Sequence, residues 1–230
     1  MQTFAVIGLG RFGSRLAASL AASGNEVIAI DRDASIVEEI RDRVTVSIAL
    51  DATDEQALRG HGIDKVDAAI VGIGNNFEAT TLATVLLKQM GVRLVISRAA
   101  SRVAGRVLAR VGADEVVNPE DESADRWAQR LLNPQFLNQI GFHEGHSIVE
   151  VRTPRGWVGQ SLAELDLRKR HRLHVVALRR APEGGSGAER IELPSAQEAL
   201  RASDVLVLMG RDEDLARLPG EGAAGAGRQA

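Results

Sequence analysis

Phe4-Ala5-Val6-Ile7-Gly8-Leu9-Gly10-Arg11-Phe12-Gly13 is the stretch whose reading decides the fold of this chain. The apolar run Phe4–Ile7 leads into G-x-G-x-x-G, and a helical pattern opens behind it from Leu16 to Leu20. A second apolar run, Val27–Ile30, ends in Asp31, eighteen residues past Gly13. Strand, glycine turn, helix and a second strand tipped by an acid make the complete βαβ dinucleotide-binding fingerprint; the six-residue motif alone would carry little weight. Gly8 permits the tight turn, Gly10 leaves no side chain between backbone and phosphate, and Gly13 lets the helix lie close on the sheet. The free N–H groups and the positive dipole end of the helix face the phosphates. Asp31 accepts hydrogen bonds from ribose hydroxyls and would repel a 2′-phosphate. That argues against NADP and leaves NAD, NADH, ATP, ADP and AMP open.

Arg11 is out of place in a plain dinucleotide fold. A cation in the first helical turn opposes the macrodipole, at a cost of about 0.3–1 kcal/mol. Two readings stand: a solvated arginine that bears this cost, or an arginine whose cost is offset by an extra anion such as a terminal phosphate.

Outward from the fingerprint the alternation continues. Helices fit Ser35–Arg41, Glu55–His61, Glu78–Met90 and Ser101–Val111; strands fit Val44–Leu50, Ala68–Val71, Leu94–Ser97 and Glu115–Val117. Short, continuously apolar strands alternating with helices specify an α/β fold, a doubly wound parallel Rossmann-like sheet. In such sheets ligands bind beyond the carboxyl ends of the strands. Those positions are Gly8–Gly13 with Phe12, Asp31-Arg32, Asp51-Ala52-Thr53, Gly72-Ile73-Gly74-Asn75-Asn76 and Arg98. Asp51 reads either as the cap of the following helix or as a neighbour of the adenosine. Arg98 reads as a surface charge or a second phosphate contact. Glu120, just after Asn118-Pro119, reads as a helix N-terminal acid or as a cation ligand near the phosphates.

The totals bound the rest. With 230 residues, 44% of them hydrophobic, the chain allows one or two domains with a full core. A net charge of −3 implies no large basic surface for nucleic acid. The absence of cysteine excludes disulfides, thiolate chemistry and cysteine metal sites. No apolar run reaches the roughly 18 residues that span a bilayer, and residues 1–30 begin with a strand rather than a basic leader. The expectation is a soluble, cytoplasmic protein without direct membrane insertion. There is no tyrosine, and none of the histidines His61, His143, His146, His171 and His174 has metal-site spacing or an obvious carboxylate partner. No catalytic constellation is found.

Residues 120–142 read as a connector: a helix over Asp121–Leu132, a break at Asn133-Pro134, then Phe136, Leu137, Ile140 and Phe142. A connector this apolar packs either on its own domain or, as the favoured reading, at a subunit contact, and an isologous dimer through Trp127, Leu131, Phe136, Leu137, Ile140 and Phe142 is expected. Beyond it lies a small α+β domain. Strands fit Ser147–Val151, Val175–Leu178, Arg190–Leu193 and Asp204–Met209; helices fit Ser161–Leu165 and Asp212–Leu218; Glu183–Gly187 reads as a turn. Arg168-Lys169-Arg170-His171-Arg172 is the densest positive run and reads as a solvated helix end or an anion site. The Gly/Ala tail Gly220–Ala230 is expected to be disordered.

These residues resemble a known family, the cytoplasmic regulator-of-potassium-conductance (RCK or KTN) subunits, which include the Trk and Ktr uptake regulators. The opening Phe4–Gly13 is most similar to the KtrA type, and Val71–Ala79, Gly112–Glu120, Ser147–Glu150 and Asp204–Gly210 extend the likeness over residues 2 to about 218. The resemblance implies a nucleotide domain over 1–119, a crossover helix and dimerisation connector over 120–142, a C-terminal domain over 143–218 and a tail over 219–230. It implies a non-enzymatic homodimer that builds an octameric ring beneath a membrane-embedded potassium-transporting subunit, peripheral to the inner face of the membrane. It implies ATP and ADP, or NAD(H) in Trk-type members, as ligands, with Arg11 reaching the terminal phosphate across the dimer and Asp31 holding the ribose. It further implies a cation at Glu120 and, in some members, cyclic di-AMP in the C-terminal domain. Arg168 and His171 fall near that last region, in a run that differs from the family's pattern. An NAD-dependent oxidoreductase is the rival class, and the missing acid–base pair speaks against it.

Overall fold

The computed structural model describes residues 1–142, 145–180 and 190–218. They divide into two compact units, Met1–Ser123 and Ala124–Ala230. His143, the turn read at Glu183–Gly187 and the tail Gly220–Ala230 lie outside the described residues.

The first unit is built on six parallel strands: β1 (Thr3–Ile7), β2 (Glu26–Asp31), β3 (Val46–Ala49), β4 (Ala68–Val71), β5 (Leu94–Arg98) and β6 (Glu115–Val117). Their order is β3-β2-β1-β4-β5-β6. Helices α1 (Arg11–Ala22), α2 (Ala34–Ile40), α3 (Glu55–Gly60), α4 (Phe77–Gln89) and α5 (Arg102–Arg110) connect them, and α6 (Pro119–Leu132) follows β6. Strand residues alternate between the two faces of a sheet. Val6, Val27, Ala29 and Ile70 therefore form one core with Ala17, Val37 and Ile40. Ala5, Ile7, Ala69 and Val71 form another with Leu58, Ile63, Ala83 and Leu87. With both faces covered, every residue of β4 is buried, which is why it reads as an unbroken apolar run. The order reverses between β1 and β4, and the crevice at that switch point opens where the two glycine turns, Gly8–Gly13 and Gly72–Gly74, leave the sheet.

The second unit is an antiparallel sheet of β7 (Phe136–Phe142), β8 (His146–Arg152), β9 (His174–Arg180), β10 (Arg190–Glu192) and β11 (Val205–Arg211), in the order β10-β9-β11-β8-β7. Short helices α7 (Leu162–Leu165), α8 (Leu167–His171) and α9 (Asp212–Leu215) accompany it. Its core gathers Val149, Val151, Trp157, Leu178, Leu206, Leu208 and Leu215.

The apolar segment 136–142 is not a free connector but the edge strand β7, paired with β8. Phe136, expected at a dimer contact, packs in this unit's own core instead. A register shift between Phe136 and Asn138 accounts for the difference: the bulge turns Phe136 inward and leaves Ile140 and Phe142 on the outer side. Trp127, Leu131, Ile140 and Phe142 are exposed.

Candidate functional site

The site grows from the turn after β1. Gly8 has a φ of +88°, and a Cβ there would come within 2.7 Å of the Ile73 nitrogen. Its own N–H donates to the Ile30 carbonyl at 2.7 Å, while Gly72 N–H donates to the Ile7 carbonyl at 2.6 Å. Glycine is thus required where the two turns touch. A methyl on Gly13 would collide with the Gly8 carbonyl, so the start of α1 lies directly on the turn. Gly10 differs: the space in front of it is open.

Gly10 is also the N-cap of α1, and no side chain caps that helix. The other helices of the first unit are capped: α2 by Asp33, α3 by Asp54, α4 by Asn76, α5 by Ser101 and α6 by Asn118, whose Oδ1 accepts from Asp121 N–H at 3.1 Å. The first turn of α1 contains no acidic residue. Its leading N–H groups are left without a side-chain acceptor and face open space, the arrangement that binds anions at helix N-termini.

On one side of Gly10 lies a cavity of about 560 Å³ lined by Gly8, Gly10, Asp31, Arg32, Asp51, Ala52, Thr53, Gly72, Ile73, Gly74 and Asn75. Asp31 Oδ2 accepts from Leu9 N–H at 2.6 Å and Oδ1 from Asp33 N–H at 3.0 Å. The carboxylate that the sequence assigns to a ribose therefore also fixes the glycine turn, and its remaining lone pairs are the ones open to a ligand. Asp51 does not cap the next helix; Asp54 does, three residues on. Asp51 instead accepts from Thr53 N–H at 2.9 Å and Thr53 Oγ1 at 2.7 Å. These bonds, backbone first, hold its carboxyl below the usual Asp range. Asn76, Glu78, Ala79 and Leu82 complete the wall. Sequence reading reached Asn76, which also caps α4, and stopped short of Glu78, Ala79 and Leu82.

On the other side lies a cavity of about 770 Å³ lined by Arg11, Phe12, Arg15, Arg98 and Glu120, with Gly10, Gly72, Gly74 and Asn75 shared between both spaces. Arg98 Nη2 donates to Glu120 Oε1 at 2.5 Å, and the guanidinium lies against Gly74, where any side chain would displace it. Arg98 Nε is buried without a partner among the described residues. Glu120 stands in the first turn of α6, and its carboxyl is held low, first by its own backbone N–H, then by Arg98 and by the charge of Arg11. Both readings of Arg98 and Glu120 thus meet in one ion pair on the cavity wall. Among the described residues no group of three His, Cys, Asp or Glu is placed to hold a metal ion. Every sequence-assigned site residue lines one of the two cavities except Leu9, which is buried in the core, and Gly13, which supports the turn. Arg15 is a further lining residue that sequence reading missed; its position one turn after Arg11 was the available signal.

In the second unit, Arg168, Lys169, Arg170 and Arg172 are exposed around α8, and His171 packs its ring on Trp157 at 5.7 Å between centroids. Among the described residues no helix is long and apolar enough to cross a membrane.

Comparison with known proteins agrees with this architecture. Residues 4–119 match the TrkA-N domain model and residues 146–218 the TrkA-C domain model. Ktr system potassium uptake protein C of Bacillus subtilis (strain 168) is 35% identical, over 94% of this chain and 95% of its own. Ktr system potassium uptake protein A of the same organism is 32% identical over 96% of this chain and 97% of its own. Among solved structures, the GsuK channel bound to NAD superposes with a TM-score of 0.53 at 25% identity, covering 94% of this chain and 37% of that chain.

Proposed function

The chain belongs to the family of TrkA-N and TrkA-C domain proteins that contains the Ktr system potassium uptake proteins, and from that membership we propose that it is a nucleotide-sensing regulatory subunit that gates a membrane potassium transporter. On this reading the adenosine enters the 560 Å³ cavity, its ribose at Asp31 and its base beside Asp51-Ala52-Thr53. The phosphates cross the uncapped N-terminus of α1 over Gly10 and end in the arginine-lined cavity. ATP and ADP are the preferred ligands, because Arg11 stands beyond the place a diphosphate bridge needs. The observation that carries the reading is the junction of the two cavities at Gly10, Gly72, Gly74 and Asn75, with three arginines, Arg11, Arg15 and Arg98, at the phosphate end against one, Arg32, at the adenosine end. NAD is the second reading, favoured by the likeness to the NAD-bound GsuK channel.

A non-enzymatic role is supported by the likeness to the Ktr system potassium uptake proteins. The protein acts as a homodimer whose copies meet through the exposed residues of 120–142 and assemble further into an octameric ring on the cytoplasmic face of the membrane partner. Glu120 binds a cation together with a second copy, and the α8 region of the second unit is the place for a cyclic dinucleotide. Gating requires that the nucleotide bind two ring shapes with different affinity, since a ligand of equal affinity for both shifts nothing.

Calorimetry with ATP, ADP, AMP and NAD on the wild-type chain and on Arg11→Ala tests the ligand choice. The expected result is tighter binding of ATP than of AMP and NAD, with Arg11→Ala costing ATP about tenfold, the worth of one charge-assisted contact, and AMP little. Equal losses for ATP and AMP would remove Arg11 from the terminal phosphate. Tighter NAD would reverse the ligand assignment.

A further inference from the structure

Helix α1 turns a single stripe toward the 770 Å³ cavity: Arg11, Phe12, Arg15, Leu16 and Ser19. Its opposite side, Gly13 and Ala17, is buried. Arg11 and Arg15 stand at i and i+4, about 6 Å apart along the axis. Side chains on a helix lean toward its N-terminus, which favours Arg15 over the turn that carries Arg11; Arg15 also borders another cavity of about 650 Å³ with Asp42 and Arg43. Like charges at this spacing repel, and the first turn of α1 has no acid to relieve them. Neither arginine is bonded or ion-paired to another side chain among the described residues. Glu120 is already engaged with Arg98. The wall therefore carries three guanidiniums against one carboxylate: Arg98 is bonded to it, Arg11 acts on it through its charge alone, and Arg15 has no share in it.

We propose that Arg15 is a second ligand for the terminal phosphates of a nucleoside polyphosphate, joining Arg11 at the far end of the phosphate path. This role rests on the nucleotide reading above and names the residue that grades its affinity by phosphate count. Each phosphate added from AMP to ATP extends the ligand away from the adenosine and toward this stripe. A planar guanidinium fork matches phosphate oxygens two at a time, which a lysine cannot do. AMP ends short of Arg15, ADP approaches it, and ATP engages it.

The test is calorimetry on the full chain with AMP, ADP and ATP, comparing wild type, Arg15→Gln, Arg15→Lys and Arg110→Gln. Arg110 is exposed at the far end of α5 and removes one charge without touching the cavity. Arg15→Gln is expected to weaken ATP about tenfold and to leave AMP within about twofold, and Arg15→Lys to recover part of the ATP loss. Arg110→Gln is expected to change no ratio. The proposal is overturned if Arg15→Gln keeps the wild-type ratio of ATP to AMP affinity, weakens all three nucleotides alike, or is matched by Arg110→Gln. A wild-type chain that fails to prefer ATP over AMP would instead overturn the nucleotide assignment itself, so the two failures are distinguishable.

Discussion

Arg180 in the second unit and the arginines of the cavity in the first use one side chain in opposite ways. Arg180 is buried on β9, where Nε and Nη2 donate to the two Asp204 oxygens at 3.0 and 2.8 Å and Nη1 pairs with Glu198. Asp204 is fully buried and also accepts from Arg201 N–H at 2.9 Å. Every charge in that cluster is answered by its own chain, so it holds the fold together. Around the 770 Å³ cavity, among the described residues, Arg98 alone of the three arginines is bonded to a partner, and Arg11 and Arg15 line the open space. A buried arginine cluster that is saturated by its own chain serves the fold, whereas cavity arginines left without a bonding partner among the described residues are available to something outside the chain.

The largest effect is expected where saturation is broken. Asp204→Ala strands a buried guanidinium and should cost about 3–5 kcal/mol, read by urea unfolding of a Trp127→Phe background in which buried Trp157 reports on the second unit. A loss below about 1 kcal/mol would place Arg180 among ordinary surface charges and erase the contrast. The same pair sets an acid limit. Burial pushes the Asp204 carboxyl up, but Arg180 and Arg201 outweigh burial and hold it below the ordinary Asp range. Its contribution is therefore full above the unfolded value near about 3.9 and is lost as pH falls through and below that value.

A smaller effect is expected at the floor of the open site. Gly13→Ala drives a methyl into the Gly8 carbonyl, and forced overpacking of this kind costs about 1–3 kcal/mol. It should abolish nucleotide binding while the second unit's unfolding stays unchanged. Retained nucleotide affinity would show that the turn can give way.

Much of the first unit is legible because its constraints are local. The spacing of Gly8, Gly10 and Gly13 and the acid at Asp31 each answer a backbone or ligand requirement that no distant contact can override. Asp51 and Asp54 show the limit: two aspartates three residues apart suit the same cap, and only the final chain path makes Asp54 the cap and Asp51 the wall of the cavity. In the second unit the decisive feature, the bulge at Phe136–Asn138, is a matter of pairing between strands. With Phe136, Ile140 and Phe142 at the same parity, sequence alone assigns them one fate, whereas the bulge divides them between core and outer surface. Arg15 was missed for a related reason, since a second arginine on a helix reads as solvent-facing until a cavity is known to lie above it.

The smallest effect on the fold is expected at those outer residues. Ile140→Asp with Phe142→Asp alters exposed positions and should change stability by no more than about 0.5 kcal/mol, while light scattering reports a fall in mass from dimer or ring to monomer. An unchanged mass would show that the copies meet elsewhere.

The central claim, that open charges in the first unit make this chain a nucleotide-operated gate, is tested most directly by potassium flux. The chain would be co-purified with its potassium-transporting membrane partner, reconstituted into vesicles and supplied with ATP or ADP. The account expects flux that differs between the two nucleotides and a difference that disappears in Arg11→Ala. Flux that is the same with ATP, with ADP and without nucleotide, from a complex that remains assembled, would contradict it.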